Sequence, residues 1–119
     1  MRKTAAGAAA LWCVLAFSLF AAGGKLPPWE KNHLLIGQGL YRANCVVCHD
    51  IDKPQAQSKK FGPSFYQLFK REKMPLSAMK PNRDYIKVRV KFGGAIMPAF
   101  AKKLNDSEID TIIDYMESK

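Results

Sequence analysis

The stretch that decides the fold is Cys45-Val46-Val47-Cys48-His49. Two thiols separated by two residues and followed at once by an imidazole form the attachment signature of c-type haem. This short arc lets both sulfurs reach vinyl groups on adjacent pyrroles, while the next residue turns beneath the ring toward the iron. The motif therefore predicts two covalent tethers, at Cys45 and Cys48, and one axial ligand, His49.

Three other interpretations of this motif compete with haem attachment. A thioredoxin-like redox pair usually lies in a βαβ context, which the sequence does not show. A structural zinc site normally needs four ligands. Beyond the motif, the only Cys and His candidates are Cys13, in an apolar leader, and His33, which we expect on the solvent side of a helix. Chance occurrence is the third interpretation, and the surrounding sequence favours haem over all three.

Length and charge agree with a small haem protein. A chain of 119 residues has room for one domain, and a domain this small buries little apolar surface of its own, so a porphyrin would supply much of the core. The formal net charge is +9, and removing Arg2 and Lys3 would leave +7. We expect a basic protein whose partners are redox proteins rather than nucleic acid.

The N-terminal residues have the layout of a secretory signal peptide, predicted over residues 1–24. Arg2 and Lys3 precede an apolar run over residues 5–22, and small residues follow it. That run, about 18 residues long, is near the lower limit for spanning a bilayer, so an uncleaved anchor is the alternative. In both cases we expect the domain outside the cytoplasmic membrane: in the periplasm, or anchored to the outer face of that membrane.

A linker is predicted over residues 25–30, and the domain itself over residues 31–119. Pro27 and Pro28 in the linker disfavour helix and favour an extended approach to the domain. Trp29 is expected to form a lid on the core.

Two helices are predicted at the ends of the domain. Apolar residues at helical spacing predict a helix over residues 31–44, which leads directly into the Cys45 motif. Gly37 weakens that helix by about 1 kcal/mol relative to alanine, and a close approach of another helix would explain it. The helix over residues 106–117 is the clearest, because Asn105 and Glu108 form a capping box before an apolar stripe.

The middle of the domain is less definite. A short helix is predicted over residues 65–71, with Ser64 as its N-cap. In residues 82–92 apolar and charged residues alternate as in a strand. The same residues also fit a helix, because an Asn82 cap is followed by apolar residues at helical spacing, so periodicity does not decide between the two.

A second axial ligand is predicted in the segment Met97-Pro98-Ala99-Phe100, which lies between two glycines and the last helix. A thioether is a soft, neutral ligand that, paired with histidine, raises the reduction potential as in cytochromes c. The proline after it stiffens the loop that holds sulfur to iron. Met79 is the runner-up for this role.

Taken together, these motifs resemble those of a class I c-type cytochrome. Over residues 31–118, in the family's order, they are Gly37, Tyr41, Cys45-Val46-Val47-Cys48-His49, Gly62-Pro63, Met97-Pro98-Ala99-Phe100, Ile112 and Tyr115. The resemblance implies an all-α cytochrome c fold, with three to five helices around one covalently attached haem. The loop over residues 74–82, with its own Met and Pro residues, departs from the family pattern.

The resemblance also implies particular contacts. The N-terminal and C-terminal helices would cross at Gly37, and residues 82–92 would form a helix. Pro63 would offer its backbone carbonyl to the outer ring nitrogen of His49, a hydrogen bond that orients the ligand.

The function expected from this resemblance is that of a monohaem electron carrier, not an enzyme. It would pass single electrons between redox partners through iron ligated by His49 and Met97. Residues 53–103 carry 13 Lys and Arg against two acids, whereas residues 104–119 carry five acids against one lysine. We therefore expect partners with acidic docking faces. The alternatives are a gas sensor or peroxide-reactive haem with an open sixth position, and a fixed subunit of a dehydrogenase or oxidase.

Overall fold

A computed structural model describes residues 24–119 of the chain. Within this range the chain forms three α-helices and two short 3₁₀ turns, with no strand. The helices are α1 (Pro28–Asn44), α2 (Arg83–Phe92) and α3 (Asp106–Glu117), so the predicted all-α class is confirmed. None of these helices is both long and apolar enough to cross a bilayer. The signal peptide predicted over residues 1–24 lies almost entirely outside the described residues.

Helix α1 begins three residues earlier than predicted. Pro27 is its N-cap and Pro28 its first residue, so residues 28–30 are helical rather than part of an extended linker. The first position of a helix tolerates proline because its amide has no intrahelical acceptor and the fixed φ suits a helix. Trp29 lies on this first turn with 72% of its surface exposed, so the prediction that it covers the core was wrong.

Helices α1 and α3 cross at Gly37, as predicted. A Cβ atom at Gly37 would overlap the carbonyl oxygen of Thr111 and lie 2.8 Å from the Cβ of Tyr115, so only glycine permits this approach. The rings of Tyr41 and Tyr115 pack beside the crossing with their centroids 5.7 Å apart. This contact fixes the direction in which α1 delivers the chain to Cys45.

The ends of α2 and α3 follow from their caps. The side chain of Asn105 accepts from the amide of Glu108, whose carboxylate accepts from the amide of Asn105, which completes the predicted capping box. Asn82 caps α2 by accepting from the amides of residues 84 and 85. Residues 83–92 are therefore helical, and the strand alternative was wrong: tertiary burial of Ile86 and Val90, one helical turn apart, decides between the two patterns.

The helix predicted over residues 65–71 was wrong in extent. Only a 3₁₀ turn, Leu68–Lys70, is present, and Gln67 before it has a left-handed backbone with φ 48°. The hydroxyl of Ser64 accepts from the amide of Tyr66 and donates to the carbonyl of Lys53, so it closes a local turn instead of capping a helix. The chain is thereby folded back against the segment that follows His49.

The described part of the chain has one apolar core cluster, to which all three helices contribute. Its buried members are Tyr41, Cys45, Ile51, Leu68, Ile86, Val90, Leu104, Ile109, Ile112, Ile113, Tyr115 and Met116. Phe65, Met97 and Phe100 are partly buried and pack against it. The attachment cysteine and the predicted methionine ligand thus lie against the same core.

Candidate haem-attachment site

The Cys45–His49 motif forms a tight turn at the end of α1. The amide of Cys45 donates to the carbonyl of Tyr41, and the amides of Cys48 and His49 both donate to the carbonyl of Cys45. Cys45 is buried and Cys48 is exposed, and neither forms a disulfide. Burial raises the pKa of the Cys45 thiol to about 11, against a smaller lowering by the charge of Lys103. Both sulfurs are therefore available for thioether bonds.

His49 is buried, with 8% of its surface exposed, and its ring orientation is set by one hydrogen bond. Nδ1 lies 2.8 Å from the carbonyl oxygen of Pro63. Since a carbonyl can only accept, Nδ1 carries the proton and Nε2 keeps its lone pair in the neutral ring. Burial lowers the pKa of His49, opposed by the Pro63 bond, so the ring is neutral at pH 7, as a metal ligand must be.

Two further groups support this ring. The ring of Phe65 stacks on that of His49 with centroids 4.2 Å apart and planes 14° from parallel. A Cβ atom at Gly62 would lie 2.6 Å from Nδ1 of His49 and 2.7 Å from the carbonyl oxygen of Cys48, so glycine is needed for this close approach. The predicted hydrogen bond between Pro63 and His49 is present, and Gly62 makes it sterically feasible.

Met97 lies in a loop folded back on the end of α2. We call residues 93–101 the ligand loop. Gly93 has φ 73°, the amide of Gly94 donates to the carbonyl of Met97, and the amides of Phe100 and Ala101 donate to carbonyls of α2. The side chain of Met97 is half-buried against the core cluster. These bonds tie both ends of the loop to one helix.

The two other methionines of the central segment occupy different environments. Met79, the runner-up ligand, is 49% exposed, and Met74 is buried. The amide of Met74 donates to the carbonyl of Met79, which closes their loop on itself.

The sequence did not predict two residues that hold the attachment turn. The hydroxyl of Tyr41 donates to the carbonyl of His49, and burial raises the pKa of Tyr41, which keeps the hydroxyl protonated as a donor. The ammonium group of Lys60 donates to the carbonyls of Val46 and His49. The spacing of Tyr41, one helical turn before Cys45, was a usable signal for the first contact. No sequence pattern marked Lys60.

The residues present fit a covalently attached haem. Two free thiols would form the thioether bonds, a neutral imidazole with an available Nε2 would bind the iron, and the half-buried thioether of Met97 is a candidate second ligand. Large apolar side chains between 49% and 85% exposed also occur along residues 47–96: Val47, Phe61, Leu76, Met79, Val88, Phe92 and Ile96. Among these, Val47 lies within the attachment motif itself and would be in reach of an apolar macrocycle bound there.

Comparison with known proteins identifies one family. Residues 23–116 match the family described as cytochrome C oxidase, cbb3-type, subunit III, whose domain is a c-type cytochrome. No curated protein and no solved structure matches the chain significantly. The matched range includes the attachment turn, Pro63 and Met97. The chain therefore belongs to the cbb3-type cytochrome c oxidase subunit III family, as a c-type cytochrome domain that binds haem c covalently.

Proposed function

We propose that this chain carries single electrons between redox proteins on the outer side of the cytoplasmic membrane and transforms no substrate itself. The hydrogen bond from Nδ1 of His49 to Pro63 is the observation that carries the proposal, because it leaves Nε2 as a fixed, unprotonated donor. Bound haem supplies an iron that gains and loses one electron.

Each site residue has one role in this proposal. Cys45 and Cys48 would attach the haem through thioether bonds, and His49 would bind the iron through Nε2. The carbonyl of Pro63 keeps the proton on Nδ1 and fixes the ring plane, which makes the imidazole a stronger donor. Met97 would be the second iron ligand, and its neutral sulfur would favour the ferrous state.

Both halves of the site favour electron transfer over catalysis. With His49 and Met97 both as ligands, the iron would have no coordination position left for a substrate or a gas. A carrier of this kind also needs little rearrangement between its redox states, and the hydrogen bonds that hold the attachment turn and the ligand loop restrict rearrangement of both.

The cellular location rests on the N-terminal sequence. The charged start and apolar run of residues 1–24 support export, and covalent haem attachment of this type suits the periplasm. An uncleaved N-terminal segment would instead anchor the domain to the outer face of the cytoplasmic membrane.

A second candidate is supported by the family description, which names a subunit of an oxidase. In that case the chain would transfer electrons within one complex rather than diffuse between partners. Purification from membranes under mild detergent separates the two: co-elution with oxidase subunits supports the fixed subunit, and recovery alone in the soluble fraction supports the free carrier.

The attachment test uses the double variant Cys45→Ser, Cys48→Ser in a host competent in cytochrome c maturation. We expect wild-type haem to stay with the polypeptide through acid-acetone extraction and denaturing gels, and the variant to lose it completely, because a serine hydroxyl forms no thioether. A colourless wild-type protein loaded with zinc would contradict the proposal.

The charge distribution supports acidic partners, with one refinement from the structure. Three basic residues of α2 form ion pairs with acids of α3: Arg83 with Asp114, Lys87 with Asp110 and Lys91 with Asp106. Their charges are largely neutralised within the protein. Lys102 and Lys103 are exposed and have no ion-pair partner among residues 24–119, and the charge of Lys103 acts on the Cys45 thiol. These two lysines are therefore our candidates for a docking surface beside the haem.

The docking test is the salt dependence of electron transfer. Screening shortens to about 8 Å at physiological ionic strength, so the bimolecular rate with an acidic partner should fall as salt rises. Lys102→Glu with Lys103→Glu should lower the low-salt rate about tenfold. The matched control, Lys25→Glu with Lys31→Glu, makes the same charge change at exposed residues near the start of α1. Equal effects from both pairs would contradict a docking surface at Lys102 and Lys103.

A further inference from the structure

Lys60 is the one lysine of the described chain whose ammonium group is fully engaged at the attachment turn. Its Nζ donates to the carbonyl of Val46, donates to the carbonyl of His49 at 3.1 Å, and pairs with Oδ1 of Asp50 at 3.1 Å. An ammonium group has three N–H donors, so these three acceptors saturate it. The side chain is 28% exposed, which is low for lysine.

The partner carboxylate is fixed as firmly as the lysine. Oδ2 of Asp50 accepts from the hydroxyl of Ser58 at 2.7 Å, and the same hydroxyl accepts from the backbone amide of Lys60. Asp50, Ser58 and Lys60 thus form a closed set of hydrogen bonds. The side chain of Asp50 is 15% exposed.

The acceptors of Lys60 are carbonyls of the turn that follows α1, not of the helix itself. The carbonyl of His49 also accepts from the hydroxyl of Tyr41, so two side chains converge on it. Lys60 therefore binds the attachment turn from a segment that lies 11 to 14 residues further along the chain. It joins the turn that carries both cysteines to the segment that carries Pro63.

The ammonium charge also lies beside the residue that would bind the iron, because Nζ of Lys60 is 3.1 Å from the backbone carbonyl oxygen of His49. A positive charge at this position would disfavour the more positive, ferric state of an iron bound to that residue. The paired carboxylate of Asp50 acts in the opposite direction.

We propose that Lys60 is a positioning residue of the haem site, which holds the attachment turn through two carbonyls and, balanced by Asp50, sets the reduction potential. The proposal rests on the proposed haem attachment. Lys59 provides a matched control, because it is adjacent, exposed, and has no hydrogen-bond or ion-pair partner within residues 24–119.

The experiment measures reduction potentials of the haem-loaded protein by spectroelectrochemistry, and urea midpoints by circular dichroism. Lys60→Met keeps the apolar stem and removes the charge, so it should lower the potential and the urea midpoint. We expect about a threefold change in the equilibrium constant for reduction, or about 28 mV at ~59 mV per tenfold. Lys59→Met should shift the potential by less than a third of that, and Lys60→Arg should restore most of the wild-type value.

The variant Asp50→Asn distinguishes an effect of charge on the reduction potential from an effect of structural support for the attachment turn. Loosening of the turn would lower the potential in both Lys60→Met and Asp50→Asn, whereas loss of a charge lowers it in the first and raises it in the second. A fall in Asp50→Asn, or equal shifts in Lys59→Met and Lys60→Met, would overturn the proposal. If Lys60→Met does not mature, the sign of the Asp50→Asn shift alone decides. Failure of the wild-type protein to retain haem would instead contradict the proposed function.

Discussion

The two sides of the haem site are held in different ways. We call residues 45–65 the attachment segment. Its backbone is bound by the side chain of its own Lys60 and by that of Tyr41 from α1, and His49 is buried. The ligand loop is held by backbone bonds to α2 and by Arg89, which donates to the carbonyl of Gly93. The attachment segment is therefore organised by its own contacts, whereas the ligand loop depends on α2.

This difference suggests which side changes first when the site is perturbed. Local opening is easiest where few apolar contacts and exposed backbone hydrogen bonds occur together. In the ligand loop Ile96 is 72% exposed, and of its residues only Met97 and Phe100 pack against the core cluster. In the attachment segment Ser64 and Ile51 are buried. We therefore expect the bond to Met97 to be lost before the bond to His49.

The largest effect is expected from Met97→Ala, which removes the proposed iron ligand in the ligand loop. The oxidised protein should lose the far-red thioether-to-iron absorption band completely, and its reduction potential should fall, because a neutral sulfur that favours ferrous iron is gone. Absorption spectroscopy of the oxidised protein measures the band.

Met79→Ala is the matched control for this experiment, because Met79 is half-exposed and lies in a separate loop. The band should be unchanged in that variant. A band that survives Met97→Ala and vanishes in Met79→Ala would transfer the ligand role to Met79.

A smaller effect, on stability, is expected when a glycine is replaced by alanine in the attachment segment or in the ligand loop. Gly62→Ala places a Cβ against the ring of His49 and the carbonyl of Cys48, both of which are fixed. We expect the free energy of unfolding to fall by about 1–3 kcal/mol. Gly94→Ala meets only the end of the flexible Arg89 side chain, so its effect should stay within about 0.5 kcal/mol.

Urea unfolding of both variants measures this pair. Similar losses of unfolding free energy in Gly62→Ala and Gly94→Ala would contradict the prediction. They would show that Gly62 and Gly94 are packed equally tightly.

The smallest effect is expected on local stability at acid pH. Hydrogen bonds from Ser58 and Lys60 lower the pKa of Asp50, so its stabilising contribution is present above its unfolded pKa and is lost as pH falls through the folded value. Residues 93–101 contain no titratable side chain. Between about pH 4 and pH 2, protection of the Gly62 amide should therefore fall about threefold relative to that of Phe100.

Amide hydrogen exchange measures these protection factors, with Asp50→Asn as the control. Its amide side chain does not titrate, so the relative fall should be absent. A relative fall of the same size in Asp50→Asn would assign it to another group.

The sequence predicted much of the fold where local chemistry was explicit. The capping box at Asn105 set the start of α3, and the resemblance to class I c-type cytochromes implied that the terminal helices cross at Gly37. The prediction failed where tertiary contacts outweighed local signals. Ser64 resembles an N-cap, yet its hydroxyl bonds to Lys53, and Gln67 then takes a left-handed conformation that limits the helix to one 3₁₀ turn.

The sequence by itself determined the chemistry of this protein, because covalent haem attachment needs particular residue types at fixed short spacing, and Cys45, Cys48 and His49 supply them. Only the tertiary structure decided how that chemistry is held. The contacts of Lys60 with Val46 and His49 join residues 11 to 14 positions apart. The pairing of α2 with α3 neutralises charges that are separate along the chain. Such contacts depend on where the folded backbone places each group, and no local pattern encodes that placement.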